Sequence, residues 1–315
     1  MNAPATYTSP RYLASKATLD DRSRHPRLYT RFLDALATSF RHDESETLRL
    51  FEMGGGVGTL CSTVLDDLLA RSVSSVAYTM VDTDADATSA ARTRLAEWGR
   101  SRSMDVFATD ERLVVAGPEA DLSIQVCAGD ALAHLGDYKG APYHGIVAQA
   151  VLDIVHVPTA LRRFRSVSQH GTHWYLPIHF DGVTAFEPTV DADLDAQIER
   201  LFHASMHGRA ADHGDKGGPH TGRALLTALA DAGASLVDAA GSDWVVVSDA
   251  TGHYPGDEAY FLHHILHFVE SELTGHPDLD ADAFDAWMQT RRAQVASGEL
   301  IYLAHQLDVL GRVDA

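Results

Sequence analysis

Short apolar runs alternate along the chain with stretches in which apolar residues recur every three or four positions. The first run, 48–53, ends at a glycine-rich segment, 54–58, and helical spacing follows it. Later runs lie at 75–81, 123–127, 143–150 and 171–178. Continuous apolar runs are typical of parallel strands buried on both faces. Strands that alternate with helices predict an α/β fold built from right-handed βαβ units.

The two ends of the chain carry different patterns. Before the first strand, apolar residues recur every four positions and predict a helix that packs on the sheet: Leu28, Phe32, Leu36 and Phe40. After residue 180 we expect a strand over 235–248, interrupted at Gly241 and Ser242. Helices follow at 256–273 and 281–297, and alternation over 300–310 predicts a final strand. The pattern over residues 99–121 does not predict a secondary structure. No segment has the composition of a linker, so we expect one elaborated domain.

Composition excludes several classes of protein. Hydrophobic residues make up 45% and charged residues 22% of the 315, as in a folded globular protein. The net charge of −19 disfavours binding to nucleic acid or to an anionic membrane. An Asp-rich, Lys-poor surface also suits high salt, which weakens that argument. Two cysteines and no apolar segment of spanning length favour a cytoplasmic location.

The most informative segment is Glu52-x-Gly54-x-Gly56-x-Gly58, a tight turn between a strand and a helix. Ligands of open parallel sheets bind at the carboxyl ends of the strands, where such a helix presents free N–H groups. Asp82, which ends the second strand, is placed for a ribose diol, and Asp130, after the third, for an adenine amino group. The dinucleotide fingerprint fails because Thr59 or Cys61 stands where Gly or Ala is required. A carboxylate at Glu52 suits an ammonium group better than a pyrophosphate.

With these motifs in order, residues 45–180 resemble the class I S-adenosylmethionine-dependent methyltransferases, whose first motif is acid-x-Gly-x-Gly-x-Gly. The resemblance implies that S-adenosylmethionine is the cofactor and that Gly55 is a tolerated extra glycine. It assigns cofactor contacts to Glu52, Gly54, Gly55, Gly56, Gly58, Asp82, Thr83, Gly129, Asp130, Ala131, Gln149 and Ala150.

The resemblance also implies an architecture. We expect a Rossmann-like, mostly parallel seven-stranded sheet with helices on both faces. A helical lid at 1–44 precedes a cofactor-binding core at 45–250. A helical cap at 251–299 is inserted before the final strand at 300–315. Such N-terminal extensions often close over the cofactor, and here we expect an Arg or Lys of the segment near the cofactor carboxylate. The segment contains Lys16, Asp20, Asp21 and Arg22 before a helix. The two helices of the cap could instead form the surface of a homodimer.

The acceptor is expected to be a small molecule. Residues 149–152 read Gln-Ala-Val-Leu in place of the Asn/Asp-Pro-Pro-aromatic motif that grips a flipped base in nucleic-acid methyltransferases. His179, with Asp181 nearby, is the first candidate for a general base, and His263 and His267 come next. We expect no metal site, since His264 replaces the Glu of the metalloprotease motif. Five further residues are candidates for the pocket wall: Arg223, Asp243, Trp244, Tyr260 and Phe261.

The leading hypothesis is therefore methyl transfer to a small molecule by in-line displacement. Three alternatives remain: a different reaction of the same cofactor, a scaffold that binds the cofactor without turnover, and a dehydrogenase.

Overall fold

A computed structural model describes residues 4–42, 47–109, 112–118, 120–212 and 217–315. Within these ranges the strands are β1 (Leu48–Met53), β2 (Ser75–Asp82), β3 (Asp105–Ala108), β4 (Arg112–Gly117), β5 (Ala120–Ala128), β6 (Tyr143–Ala148), β7 (Ser168–Glu187), β8 (Ala234–Gly241), β9 (Trp244–Val246) and β10 (Ile301–Val313). The helices are α1 (Ser9–Ser15), α2 (Ala17–Ser23), α3 (Pro26–His42), α4 (Thr59–Leu69), α5 (Ala85–Ser101), α6 (Ala131–Asp137), α7 (Val157–Ser166), α8 (Ala192–Asp212), α9 (Thr221–Asp231), α10 (Glu258–Leu273) and α11 (Ala281–Ser297).

All strands join one mixed sheet, in the order β3-β4-β5-β2-β1-β6-β7-β10-β8, with β9 paired to β10. Strands β5, β2, β1, β6 and β7 run parallel to one another. Strand β10 lies antiparallel between β7 and β8. An α/β sheet with helices is confirmed, but the described chain has ten strands, so the prediction of seven is wrong.

The additional strands come from two places. The unassigned segment 99–121 contains β3 and β4, which extend the edge of the sheet as an antiparallel hairpin beside β5. Strand β3 is largely exposed, so it lacks the buried run that marks the central strands. The strand expected over 235–248 is divided into β8 and β9 at the predicted interruption. The final strand is found where the alternation places it.

Strand β7 is longer than the apolar run at 171–178 indicates. It continues to Glu187 because β10 pairs with it along its second half, up to Ile301 opposite Glu187. His179 and Asp181 were expected to follow the strand. They lie within it instead, where side chains alternate between the two faces of the sheet.

The N-terminal helices divide between two packing environments. The apolar stripe of α3 is buried against the sheet, where the rings of Phe32 and Tyr175 stack 5.2 Å apart. Helices α1 and α2 lie instead at the carboxyl ends of the parallel strands, beside α5 and α10. Residues 1–3 and 43–46 of the predicted lid and its border are outside the described ranges.

A second apolar cluster lies under the C-terminal helices. Helices α10 and α11, inserted before β10 as expected, pack with α8 and with the ends of β7, β9 and β10. Helix α8, predicted within the 45–250 core, therefore shares the core of the cap. A buried ion pair fixes this cluster, because Arg291 donates to Asp195 at 2.7 Å and Trp287 Nε1 donates to the same carboxylate.

No helix in the described ranges has both the length and the apolar character needed to cross a membrane.

Candidate functional site

The glycine turn is held against two neighbouring strands at the carboxyl end of β1. The Gly54 amide donates to the Val81 carbonyl at 2.8 Å, which ties the turn to β2. Gly54 has a φ of +70°, and a Cβ atom there would lie 2.7 Å from Val151 Cγ2. Both the backbone angle and the close approach therefore require glycine.

An open cavity of about 660 Å³ borders this turn. Its floor is formed by Glu52, Gly54–Gly56 and the end of β2, and helices α1 and α2 cover it. Leu13 of α1 lies directly over the turn, 3.1 Å from where a Gly56 Cβ would be. Ser9 hydrogen-bonds to the Asp84 carboxylate, which lowers the pKa of that group and joins α1 to the rim of the cavity.

Glu52 is a buried carboxylate at the base of the cavity. Its Oε2 accepts a hydrogen bond from the Tyr78 hydroxyl at 2.9 Å, and the side chain is 2% exposed. Burial raises the pKa of Glu52 to about 7, because desolvation disfavours the charged form. A ligand ammonium beside it would stabilise the ionised form, so this group suits a cation.

Asp82 faces the cavity from the end of β2. Its two oxygens accept from the Gly56 and Asp84 amides, both at 2.9 Å, so the carboxylate orientation is fixed. Each oxygen retains a lone pair that a diol can use. Thr83 lines the cavity beside it.

The predicted adenine contacts lie at the same edge of the sheet. The Gly129 amide donates to the Asp82 carbonyl at 2.8 Å. Asp130 is exposed, and its side chain caps α6 by accepting from the Leu132 and Ala133 amides. Gly129, Asp130, Ala131 and Gly58 are not among the described lining residues of the cavity.

A buried polar cluster lies on the cavity wall. Asp20 of α2 is 2% exposed and accepts from Lys16 Nζ at 2.6 Å, Gln149 Nε2 at 3.0 Å and Trp244 Nε1 at 3.0 Å. Gln149 and Ala150, which follow β6, line the cavity. Asp20 is not among the cofactor contacts predicted from the sequence. Its only signal was the four-residue spacing from Lys16, which is shared by many solvent-exposed helix pairs.

Residues 34–145, about a third of the chain, match a family model described as "Putative S-adenosyl-L-methionine-dependent methyltransferase". The match contains the glycine turn and Asp82. Residues 34–145 are therefore similar to the S-adenosylmethionine-dependent methyltransferases. The match supports an enzyme of this type with S-adenosylmethionine as its cofactor. No curated protein matches the sequence.

Solved structures that match this chain differ widely from it in sequence. A "putative methyltransferase" from Bacillus halodurans is 8% identical, with a TM-score of 0.47 over 89% of this chain and 99% of that one. A "putative sarcosine dimethylglycine methyltransferase" from Galdieria sulphuraria is 12% identical, with a TM-score of 0.40 over 90% and 86%. A phosphoethanolamine N-methyltransferase from Haemonchus contortus is 11% identical, with a TM-score of 0.40 over 99% and 59%. All three scores are below 0.5, so nothing about this chain is inferred from them.

The cavity fits the cofactor of the methyltransferase family. Buried Glu52 would provide a partner for an ammonium group, and Asp82 would provide acceptors for a diol. Lys16 is also at the cavity wall, although its ammonium is already paired with Asp20.

The described histidines lie away from the cavity lining. No histidine is among the described residues that line the cavity. His179 is fully buried while its neighbours Ile178 and Phe180 line the cavity, so its ring is on the other face of β7. Burial lowers the pKa of His179 to about 3. His263 is buried on α10, and Asp181 is paired with Arg223 at 2.8 Å.

The remaining candidates for the pocket wall separate in the same way. Trp244 lines the cavity. Three other candidates are not among the described lining residues and make contacts elsewhere. Arg223 donates to Asp181, Asp243 accepts from the Gln306 amide, and the Tyr260 hydroxyl accepts from the Thr8 amide. Phe261 is fully buried in the cap cluster. In the described ranges no three His, Cys, Asp or Glu side chains are grouped closely enough to hold a metal ion.

Proposed function

We propose that this methyltransferase transfers the methyl group of S-adenosylmethionine to a small organic molecule by in-line displacement. The observation that carries the proposal is that one cavity borders both parts of the required site. At one end lie Glu52, the glycine turn and Asp82. At the other lies an apolar pocket under the cap helices. A donor and an acceptor can therefore meet without leaving the cavity.

The residues of the chain serve mainly to bind and orient. Glu52 would hold the ammonium group, Asp82 the ribose hydroxyls, and Asp130 with the Gly129–Ala131 backbone the adenine. Gln149 and Ala150 would border the methyl donor. When bound, the cofactor would supply an activated methyl group, which would pass to a lone pair of the acceptor while the electrons of the carbon–sulfur bond remain on sulfur. An O–H or N–H acceptor would release its proton to solvent. Because the donor is already activated, alignment is the main contribution of the protein.

A general-base role for His179, Asp181 or His263 stays a prediction. The position of all three outside the cavity lining gives it no support, since a base must come within hydrogen-bond reach of the proton it removes.

Label transfer tests the proposal. The full chain is incubated with methyl-tritiated S-adenosylmethionine and an extract of the source cells, which is then divided by size. We expect label in small molecules other than S-adenosylmethionine and its breakdown products, which are removed chromatographically, above the level in extract without the protein. The Asp82→Ala variant should give at least about tenfold less of this label at a limiting S-adenosylmethionine concentration. Label found only in protein or nucleic acid, or no transfer at all, contradicts the proposal.

A further inference from the structure

The end of the cavity beyond the glycine turn is walled by apolar and aromatic side chains. They are Ile178, Phe180, Phe202, Trp244, Ile265, Phe268 and Tyr302. Most are buried in the cap cluster, and Phe180 and Phe268 pack against it while remaining partly exposed to the cavity. The Trp244 ring is fixed perpendicular to Phe261 at 5.3 Å. Walls of rigid rings favour a flat apolar ligand that buries its faces against them.

The same cavity has a surplus of negative charge. Of the described residues that line it, five are acidic, Glu52, Asp82, Asp84, Asp20 and Asp153, and one, Lys16, is basic. Lys16 Nζ lies 2.6 Å from Asp20, so its charge is compensated inside the protein. Among the described lining residues, an anionic ligand would meet carboxylates and no uncompensated cation. A neutral or cationic ligand would not be repelled by these carboxylates.

One polar group is available where the two parts of the cavity meet. Asp20 lies beside Gln149 and Trp244, and its carboxylate accepts three hydrogen bonds from protein donors. An ionised carboxylate offers about four lone-pair sites. Asp20 can therefore accept one further hydrogen bond from a ligand O–H or N–H.

We propose that the acceptor is an uncharged or cationic molecule with a flat aromatic body. Its O–H or N–H donates to Asp20, and its anionic analogues are rejected. This inference rests on the proposed function and names the chemistry that the acceptor end of the site selects.

Three para-substituted phenols test the charge preference. 4-Ethylphenol is neutral, tyramine is cationic and 4-hydroxyphenylacetate is anionic at pH 7.5, while ring and hydroxyl are the same. Each is titrated calorimetrically, up to 10 mM, into the full chain saturated with S-adenosylhomocysteine. We expect the neutral and cationic phenols to bind at least about tenfold more tightly than the anion, the effect of one uncompensated charge contact.

Variants test the residues. Phe268→Ala should weaken the binding of 4-ethylphenol about tenfold and leave the affinity for S-adenosylhomocysteine unchanged. Leu236 is exposed on β8, so Leu236→Ala should change neither affinity. Asp20→Asn should narrow the difference in affinity between the neutral phenol and the anion. Lys16 loses its counter-ion in this variant, so its charge becomes available to the anion.

The outcomes separate the two proposals. If S-adenosylhomocysteine binds but the anion binds as tightly as 4-ethylphenol, or no phenol binds, the inference is wrong and the proposed function stands. If Phe268→Ala and Leu236→Ala behave alike, the aromatic wall is not the binding site. If S-adenosylhomocysteine itself does not bind, the proposed function fails.

Discussion

At the scale of single residues, two carboxylates of the cavity differ in their surroundings. Glu52 is enclosed, with one hydroxyl donor from Tyr78, and its pKa is raised to about 7. Asp82 is partly exposed and accepts from two backbone amides. Binding a cation at Glu52 therefore depends on its ionisation near neutral pH, whereas Asp82 is oriented to accept from uncharged hydroxyls.

The first prediction concerns pH. A group with a pKa of about 7 is mostly protonated at pH 6 and mostly ionised at pH 8. If the ammonium of S-adenosylhomocysteine pairs with ionised Glu52, its affinity should rise about tenfold between these values. The Glu52→Gln variant should bind more weakly at pH 8 and lose the pH dependence. Calorimetry at pH 6, 7 and 8 measures both affinities. If the affinity of the variant rises with pH as much as that of the unsubstituted protein, the pairing is contradicted.

The second prediction concerns Asp82. Asp82→Ala removes the acceptors proposed for the ribose hydroxyls and should weaken S-adenosylhomocysteine binding by about 1–3 kcal/mol. Asp86→Ala, at an exposed position in the first turn of α5, is the matched control and should bind normally. If the two variants bind S-adenosylhomocysteine with equal affinity, Asp82 does not bind the ribose hydroxyls.

At the scale of elements, α3 is part of the fold and not of a movable cover. Its apolar stripe is buried against the sheet, and Phe32 stacks on Tyr175 of β7. Helix α2 is attached by a single apolar anchor and by polar contacts. Leu19 is buried in the cap cluster, and Arg22 and Thr18 both donate to buried Glu258 at the start of α10. The α3 face buries five apolar side chains, so exposing it costs more than exposing the one anchor of α2.

The third prediction tests this division. Phe32→Ala should lower the free energy of unfolding by about 3–5 kcal/mol, the usual cost of a cavity left by a buried ring. Phe107→Ala, on the edge strand β3 with the ring 64% exposed, should change it by less than about 0.5 kcal/mol. Urea denaturation measures both, and similar losses for the two variants would contradict the burial of α3.

At the scale of the whole molecule, the site is assembled from distant parts of the chain. The glycine turn comes from β1, the cover from α1 and α2, and the apolar wall from β7, α8, β9, α10 and β10. A ligand in the cavity therefore contacts elements from both halves of the chain and should stabilise the folded state by mass action.

The fourth prediction is a coupled effect on stability and exchange. S-adenosylhomocysteine at 100 times its dissociation constant should add about 2.7 kcal/mol and raise Tm by about 4 °C. Amide hydrogen exchange should slow in α1 and α2, which cover the cavity, and remain unchanged in the edge hairpin β3–β4. Equal slowing in both regions would indicate general stabilisation without closure of the N-terminal helices.

The sequence by itself determined the features that depend on local geometry. Glycine at position 54 is required by a positive φ and a close contact, so the turn is visible as a motif. The central strands are buried on both faces and appear as apolar runs, which locate β1, β2, β6 and the start of β7. Asp82 is predictable as a binding residue because it is the last residue of β2, and ligands of open parallel sheets bind at the carboxyl ends of the strands.

The tertiary structure alone decided the features that depend on pairing between distant segments. The second half of β7 exists because β10 pairs with it, and this pairing fixes the face to which His179 points. Asp20 enters the site because α2, the residues after β6 and β9 meet there, although Asp20, Gln149 and Trp244 are far apart in sequence. The polarity pattern shows which residue types recur on one face of an element. It does not show which distant partner that face meets, because that is set by packing of the whole chain.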